Sequence, residues 1–445
     1  MFYEDLTILD IIISLVLIAI ILIGAYQFRP KRIRASSKYF QKFILFKIIF
    51  AILFVIIHVY IYKGGDTFLY FAGGKFIAKQ ILNNPTELFN YLFSSYEQFQ
   101  TLSFRGDLSV MYFFKSSDVF FMSRIVSIFC LLSFNQFLAS NIIFSILSAI
   151  GIWKLFDTLC ELYPAATIYF AYGILFYPTI GIWGSGILKD PIALSSMGLI
   201  LSSSHALFHK RNYLNASFLI ILSIFICLRL KPYILYTFIP VMLFWLQGNI
   251  SKAVKSQFVK YMLTPIVIVL SVIGGYLFLQ VISESAGKYS LDNVQTVAEG
   301  FHDWHSYLAE SRGQSGYSLG EVEFTPAGIL EKSPNAIFVT YYRPFLFGDV
   351  HNLATAFEAI QSFILLLLTI YVLIKVRIIR FFILLFTNND TRAFMIFALI
   401  FAIAVGLTSY NFGALSRYKI PCLPFFTASL GIVYYLGVKK RYTLN

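Results

Sequence analysis

An acid set between glycines and aromatics carries the first chemistry the sequence offers. Asp66 lies in "YKGGDTFLYFAGGKFI", residues 62–77, directly after an apolar run. A carboxylate just above a bilayer can serve as a general base when the proton it takes lies within hydrogen-bond reach. Tyr70 is one helical turn further on, on the same face. The structural role open to the same residues is a helix boundary: glycine ends one helix and Asp66 is the N-cap of the next. The two roles are compatible, because a helix start orients the carboxylate it carries.

A second group of residues could meet an anion. "WGSGILKDPIAL" at 183–194 breaks an apolar run with glycines, a serine, a proline and the adjacent pair Lys189–Asp190. Charges near a membrane are costly and usually face a polar cavity or the headgroups. The structural alternative is a turn between two spans with a snorkelling lysine. "CLRLKPY" at 227–233 adds Arg229 and Lys231, and "YYRPFLFGD" at 341–349 adds Arg343. "GALSRYKIPCLPFF" at 413–426 adds Arg417 and Tyr418, with Lys419, Pro421 and Pro424 at a broken helix start. Arginine suits phosphate because its planar fork donates parallel bonds to two oxygens. Any one of these residues alone reads as a headgroup anchor. Their coincidence on one face is what suggests a site.

Other signals are weaker or missing. His302 and His305 flank Trp304 in "FHDWHSY", but no third ligand is near and HExxH is absent, so no metal is expected. His58, inside an apolar run, reads as a packed core residue. There is no Walker A loop, no GxGxxG after a strand and no GxSxG, which disfavours nucleotide-driven transport and serine hydrolysis. No cofactor is expected. Neither similarity between halves nor an acidic relay inside the spans is evident, which disfavours a transporter.

These residues need elements to hold them. The chain has 445 residues, 58% hydrophobic and 13% charged, with a mean hydropathy of +0.75. Soluble domains run near 45–50% apolar and about 25% charged. Apolar segments of roughly 18 residues or more recur from end to end, each long enough to cross a hydrocarbon core as a helix. Backbone groups find no water in lipid, so the expected fold is an all-α polytopic membrane bundle, residues 1–445 forming one transmembrane domain of about 11 helices. Spans are read near 9–27, 43–62, 137–155, 167–183, 190–207, 214–229, 233–247, 262–282, 354–374, 393–409 and 419–437. Cys130, Cys160, Cys227 and Cys422 lie in or beside apolar runs and read as packing residues. The acidic start (Glu4, Asp5, Asp10) and the absence of a small-residue cleavage pattern argue against a cleaved signal.

The net charge of +13 does not point to nucleic acid, since the basic residues cluster in short loops. These are 29–42, 209–212, 251–260, 375–380 and 439–441, all expected to be cytoplasmic. The N-terminus is then outside and the C-terminus cytoplasmic. Segment 119–134, short and interrupted by Arg124, is read as an interfacial or re-entrant helix to preserve that parity. The outer face receives a first loop at 63–118 with short helices, the junctions holding Lys189, Asp190, Arg229 and Lys231, and a long loop at 283–353 with the character of a lid.

Four stretches carry a family likeness: "GGDTFLY" at 64–70, "PTIGIWGSGILKDPI" at 178–192, "SRYKIPCLPF" at 416–425 and "SPNAIFVTYYRPFLFGDVHN" at 333–352. In these the chain resembles the GT-C superfamily of integral membrane glycosyltransferases, and looks closest to multispan proteins of bacterial surface-polysaccharide clusters. The resemblance covers a minority of the chain, and its motifs are less specific than a metal-ligand pattern. It implies a GT-C-like fold in the bacterial cytoplasmic (inner) membrane, a polyprenyl-phosphate-linked sugar donor, and a glycan or lipid-linked acceptor. It also implies Asp66 as catalytic base and Arg417 and Tyr418 near the lipid phosphate. Chemistry of this kind inverts the anomeric centre, and with enough cations converging it needs no metal. Two departures stand out. Many members carry a second acid beside the first, whereas Asp66 stands between Gly65 and Thr67; and Asp66 follows the second span, not the first. An O-antigen or exopolysaccharide polymerase acting on lipid-pyrophosphate-linked repeat units shares most of these features. So does a flippase or transporter of a lipid-linked glycan, and a non-catalytic membrane scaffold would leave the outer charges scattered.

Overall fold

A computed structural model describes residues 5–30, 35–102, 114, 116–209, 213–253, 296, 299–300, 303–304, 307, 316–320, 322–323 and 325–439. Among these residues all regular structure is helical, apart from an isolated bridge between Gly316 and Asn411. Seven helices among the described residues are long and apolar enough to cross a membrane. They are Ile8–Gln27, Ser37–Tyr62, Phe137–Leu162, Lys189–Phe208, Tyr213–Leu230, Leu353–Val376 and Asn389–Thr408, and they match seven of the expected spans. An eighth arises if Phe412–Tyr418 and Leu423–Val438, bent by 65°, form one broken span.

The expected count of about 11 is not reached among the described residues, for identifiable reasons. The span expected at 167–183 is interrupted. Helix Thr167–Phe170 runs into a π turn at Ala171–Leu175, and a new helix starts at Pro178. Proline has no N–H to continue a helix and keeps the residue before it out of helical geometry. The apolar part of Pro232–Ala253 ends at Gly248 and contains Pro240. The span expected at 262–282 lies outside the described residues.

The chain divides into two units. The first comprises Met1–Asp157, Ile180–Ser202 and Phe218–Lys231. Its helices are α1 (Ile8–Gln27), α2 (Phe40–Ile56), α3 (Asp66–Asn83), α4 (Leu88–Phe93), α5 (Tyr96–Thr101), α6 (Ser117–Leu132), most of α7 (Phe137–Leu162) and parts of α8 (Pro178–Trp183), α9 (Lys189–His209) and α10 (Tyr213–Leu230). α2 loosens into a π-helical turn at Ile57–Tyr62. Phe54, Phe68, Phe71, Met122, Phe137 and Phe144 form the centre of its core.

Segment 119–134 is a regular helix, α6, and it packs along α3. Gly73 and Gly74 permit the close approach: a Cβ on Gly73 would lie 2.4 Å from Ser123 Oγ, and one on Gly74 2.6 Å from Val126 Cγ1. At 1.5 Å per residue α6 is about 24 Å long, short of the ~30 Å hydrocarbon core. Its Arg124 is buried, with the guanidinium donating to the carbonyls of Tyr91 (3.1 Å) and Ser94 (2.5 Å). That arginine is satisfied by backbone and pins the turn after α4. Asp10 of α1 is also buried and accepts the N–H groups of Leu138 (2.9 Å) and Ala139 (3.1 Å), so it closes the open start of α7 from another helix.

The second unit comprises Thr158–Thr179, Ser203–Ser217 and Pro232–Asn445. It holds α11 (Pro232–Ala253), α12 (Pro326–Tyr342), α13 (Leu353–Val376), α14 (Ile378–Thr387), α15 (Asn389–Thr408), α16 (Phe412–Tyr418) and α17 (Leu423–Tyr434). α15 is its axis. Gly406 lets α12 press in, since a Cβ there would lie 2.4 Å from the Ala336 carbonyl. Thr340 and Tyr341 of α12 donate to the carbonyls of Ala402 (2.9 Å) and Ala398 (2.8 Å). At the start of α15, Asp390 accepts from Trp245 Nε1 (2.7 Å) and the Tyr163 hydroxyl (2.5 Å).

Candidate functional site

Six of the residues singled out in the sequence lie in the first unit: Asp66, Tyr70, Lys189, Asp190, Arg229 and Lys231. The chain reaches Asp66 through two unusual backbone positions, Lys63 with φ 46° and Gly65 with φ 118°. A side chain at Gly65 would be strained. Gly65 is the N-cap of α3, and Asp66 is its first helical residue, one position later than expected. A carboxylate in the first turn still complements the helix dipole. The Asp66 side chain is exposed, whereas Tyr70, one turn on, is buried.

The break at 184–188 separates α8 from α9, as the glycines and serine predict, and three side chains brace it. Asn141 of α7 donates to the carbonyls of Ala51 and Ser185 (3.1 Å each) and accepts the Ile187 N–H (2.8 Å). The buried Lys47 ammonium donates to the Gly184 carbonyl, and Ser148 Oγ donates to the same oxygen at 3.4 Å. Opening a helix leaves backbone groups unpaired, and in a bilayer only neighbouring protein can satisfy them. Gly186 is required because a Cβ would lie 2.1 Å from Phe54 Cζ.

Immediately after the break, Lys189 and Asp190 make crossed ion pairs. Lys189 Nζ lies 2.7 Å from Asp118 Oδ2 at the start of α6 and 5.3 Å from the centre of the Tyr70 ring. Asp190, with no exposed side-chain surface, pairs with Lys231 after α10. Two buried cations thus meet two buried anions. Arg229 is exposed, with its guanidinium 5.6 Å from the centre of the Phe121 ring. Of the cations expected to receive phosphate in this unit, Lys189 and Lys231 already face carboxylates, and Arg229 is the exposed one. The Thr67 and Ser185 hydroxyls, from the first turn of α3 and from the break, are buried with no hydrogen-bond partner among the described residues.

Arg343, Arg417 and Tyr418 belong to the second unit. Arg343 is clasped by Asp349, Nε to Oδ2 at 2.8 Å and Nη2 to Oδ1 at 2.5 Å, so its fork is already engaged. Burial alone would raise the Asp349 carboxyl. Hydrogen bonds from Arg343 and the Phe345 N–H, with the charges of Arg343 and His351, hold it below the usual range. Arg417 and Tyr418 are half-buried at the end of α16, the guanidinium 5.7 Å from the Tyr418 ring centre. In the described part of the 283–353 loop, Tyr317 stacks on Tyr410 at 5.3 Å and donates to the Gly406 carbonyl at 2.8 Å. His302 and His305 lie outside the described residues.

Several participants were missed. Asp118 appeared only as the end of a loop, and nothing local ties it to Lys189. Glu358, inside the α13 span, was not singled out in the sequence. It is buried, accepts from Thr179 Oγ1 at 3.1 Å and lies 3.7 Å from the Lys419 ammonium. A lone acid in "AFEAIQSF" was a usable signal, because ionisable groups in a span are costly enough to mark function. No family model matches the chain, and neither does any curated protein or solved structure.

Proposed function

We propose that the chain is a membrane glycosyltransferase of surface-polysaccharide assembly. It moves a sugar from a polyprenyl-phosphate-type donor to a glycan or lipid-linked acceptor at the outer face of the bacterial cytoplasmic membrane. The observation that carries this reading lies in the first unit: an exposed carboxylate opens α3, and one turn on along the same helix Tyr70 is buried with its ring centre 5.3 Å from the Lys189 ammonium. Buried charges in a membrane protein are expensive, and removing one partner of such a pair costs about 3–5 kcal/mol. Holding four of them around a helix break is the kind of rigid frame a polar reaction needs.

In this reading Asp66 takes the proton of the acceptor hydroxyl as its oxygen bonds to the anomeric carbon. The bond from that carbon to the phosphate oxygen breaks on the opposite side, the configuration inverts, and polyprenyl phosphate leaves with the electron pair. Arg229 is the first-unit cation offered to the departing phosphate. Lys189 and Lys231 act through their acids to fix the frame.

The test is the surface glycan of cells lacking the chain, complemented with wild type or Asp66→Asn at matched expression. A ladder that keeps its length while every rung shifts, in the null and the Asp66→Asn strains alike, supports the transferase. A null strain that collapses to one repeat unit while Asp66→Asn restores the ladder means a polymerase. A flippase is favoured by one observation, the helix breaks at 184–188 and around 419–422, since discontinuous helices also build transport sites. Purified protein would then form no glycosidic bond.

A further inference from the structure

The second unit contains a groove of about 580 Å³ that none of the proposed chemistry uses. One wall is α13, from Gln361 to Tyr371 and Val372; the others are 169–178 and the α17 stretch Thr427–Tyr434. The walls are built close together, since a Cβ on Gly173 would lie 2.7 Å from Thr427 Oγ1. Among the described residues, no charged side chain lines it. Its polar end is closed, because the Gln361 side-chain Oε1 already accepts the N–H and the hydroxyl of Thr179, both at 2.8 Å. Its outer edge belongs to the surface a membrane span turns to lipid: Tyr172, Ile364, Leu368 and Tyr371 are 65%, 50%, 51% and 46% exposed.

Length and charge together choose the occupant. From Gln361 to Tyr371 the groove follows α13 for about 15 Å at 1.5 Å per residue. That is half of a ~30 Å hydrocarbon core, the depth of one leaflet. At the open end the hydroxyls of Tyr371 and Tyr434 lie 3.3 Å apart, in the amphipathic position tyrosine takes at the membrane interface. One turn further, the exposed Lys375 ammonium is 5.8 Å from the centre of the Tyr371 ring, at the start of the basic stretch "KVRIIR". An uncharged slot one leaflet deep, opening beside tyrosine hydroxyls and a lysine, complements a chain with an anionic head.

We infer that this groove binds an anionic bilayer phospholipid from the leaflet on the Lys375 side, one acyl chain in the slot and the phosphate against Lys375, Tyr371 and Tyr434. The inference depends on α13 spanning the membrane and stands or falls separately from the transferase reading.

The test uses the full chain in phosphatidylcholine vesicles containing phosphatidylglycerol with a photoreactive diazirine on one acyl chain, followed by peptide mapping after illumination. The expected result is labelling of 169–178, 361–372 and 427–434 at least tenfold above that of the exposed α1 surface. Leu368→Trp, which fills the slot from its lipid-facing edge, removes that excess and leaves α1 labelling unchanged. Lys375→Gln lowers it about fivefold, the worth of one lysine at an anionic surface. Labelling spread evenly over all exposed apolar helices overturns the inference, as does equal labelling by a phosphatidylcholine probe of the same design. Displacement of phosphatidylglycerol by an equal mole fraction of a polyprenyl-phosphate probe also overturns it, and assigns the groove to the carrier lipid. The wild-type map alone decides if either variant fails to fold.

Discussion

Replacing Asp190 by asparagine removes one member of the Asp190–Lys231 pair and leaves the other charge buried. The Asp190 side chain is wholly inaccessible and that of Lys231 is 8% exposed, so water cannot take over the lost interaction. Breaking a buried pair from one side costs about 3–5 kcal/mol, while exchanging both partners for apolar residues of similar size is often close to neutral. Asp190→Asn and Lys231→Met should each lose about 3–5 kcal/mol, and the double variant Asp190→Leu/Lys231→Met should recover most of it. Unfolding in mixed micelles of rising denaturing-detergent fraction measures this directly. A maleimide dye provides a reporter, since Cys130, Cys160, Cys227 and Cys422 are all buried and react on opening. Cys227 lies against the Lys231 carbonyl, Sγ to oxygen at 3.8 Å, and senses this site locally. Single variants within about 0.5 kcal/mol of wild type, the range of ordinary surface changes, would refute the reasoning, as would additive losses in the double variant.

Other consequences are open to the same kind of measurement. Gly198→Ala places a Cβ 2.2 Å from the Gly151 carbonyl, where α7 and α9 touch, and should cost roughly 1–3 kcal/mol in the micelle titration; wild-type stability would disprove that contact. The Asp349 carboxyl is depressed in the folded chain, so its contribution is fully present above the unfolded value of about 3.9 and is lost as pH falls through the folded value. The stability advantage of wild type over Asp349→Asn should therefore be constant above about pH 4 and shrink below it, as followed by thermal unfolding. An impermeant maleimide on intact cells should label Asp66→Cys but reach Ala35→Cys only after permeabilisation, since both positions are exposed and lie at opposite ends of the span Ser37–Tyr62. The reverse pattern would invert the topology.

What the sequence revealed follows the range of the forces involved. Continuous apolar runs mark spans because burial in lipid acts on every residue of the segment, and seven of the expected spans are present as such. The break before Lys189 was legible because glycine and serine act locally on the backbone. Its braces were not. Asn141 reaches Ser185 across 44 residues, Lys47 reaches Gly184 across 137, and Lys189 reaches Asp118 across 71. Nothing in the spacing of these residues announces the contact. For the same reason Asp10 looked like part of an acidic N-terminus, although it caps a helix beginning 127 residues later, at Phe137. Lys189, Lys231 and Arg343 were legible as cations, but the carboxylates that face them, Asp118, Asp190 and Asp349, were not legible as their partners.

The central claim is that Asp66 removes a proton during transfer of a lipid-linked sugar. The most direct measurement is sugar transfer by the purified chain in vesicles, from a polyprenyl-phosphate-linked sugar to its acceptor, with wild type, Asp66→Asn and Asp66→Glu compared at equal folded protein. The account predicts turnover by wild type, a loss of about 10²–10⁴-fold in Asp66→Asn with the protein still folded, and partial recovery in Asp66→Glu. Undiminished turnover in Asp66→Asn would contradict it.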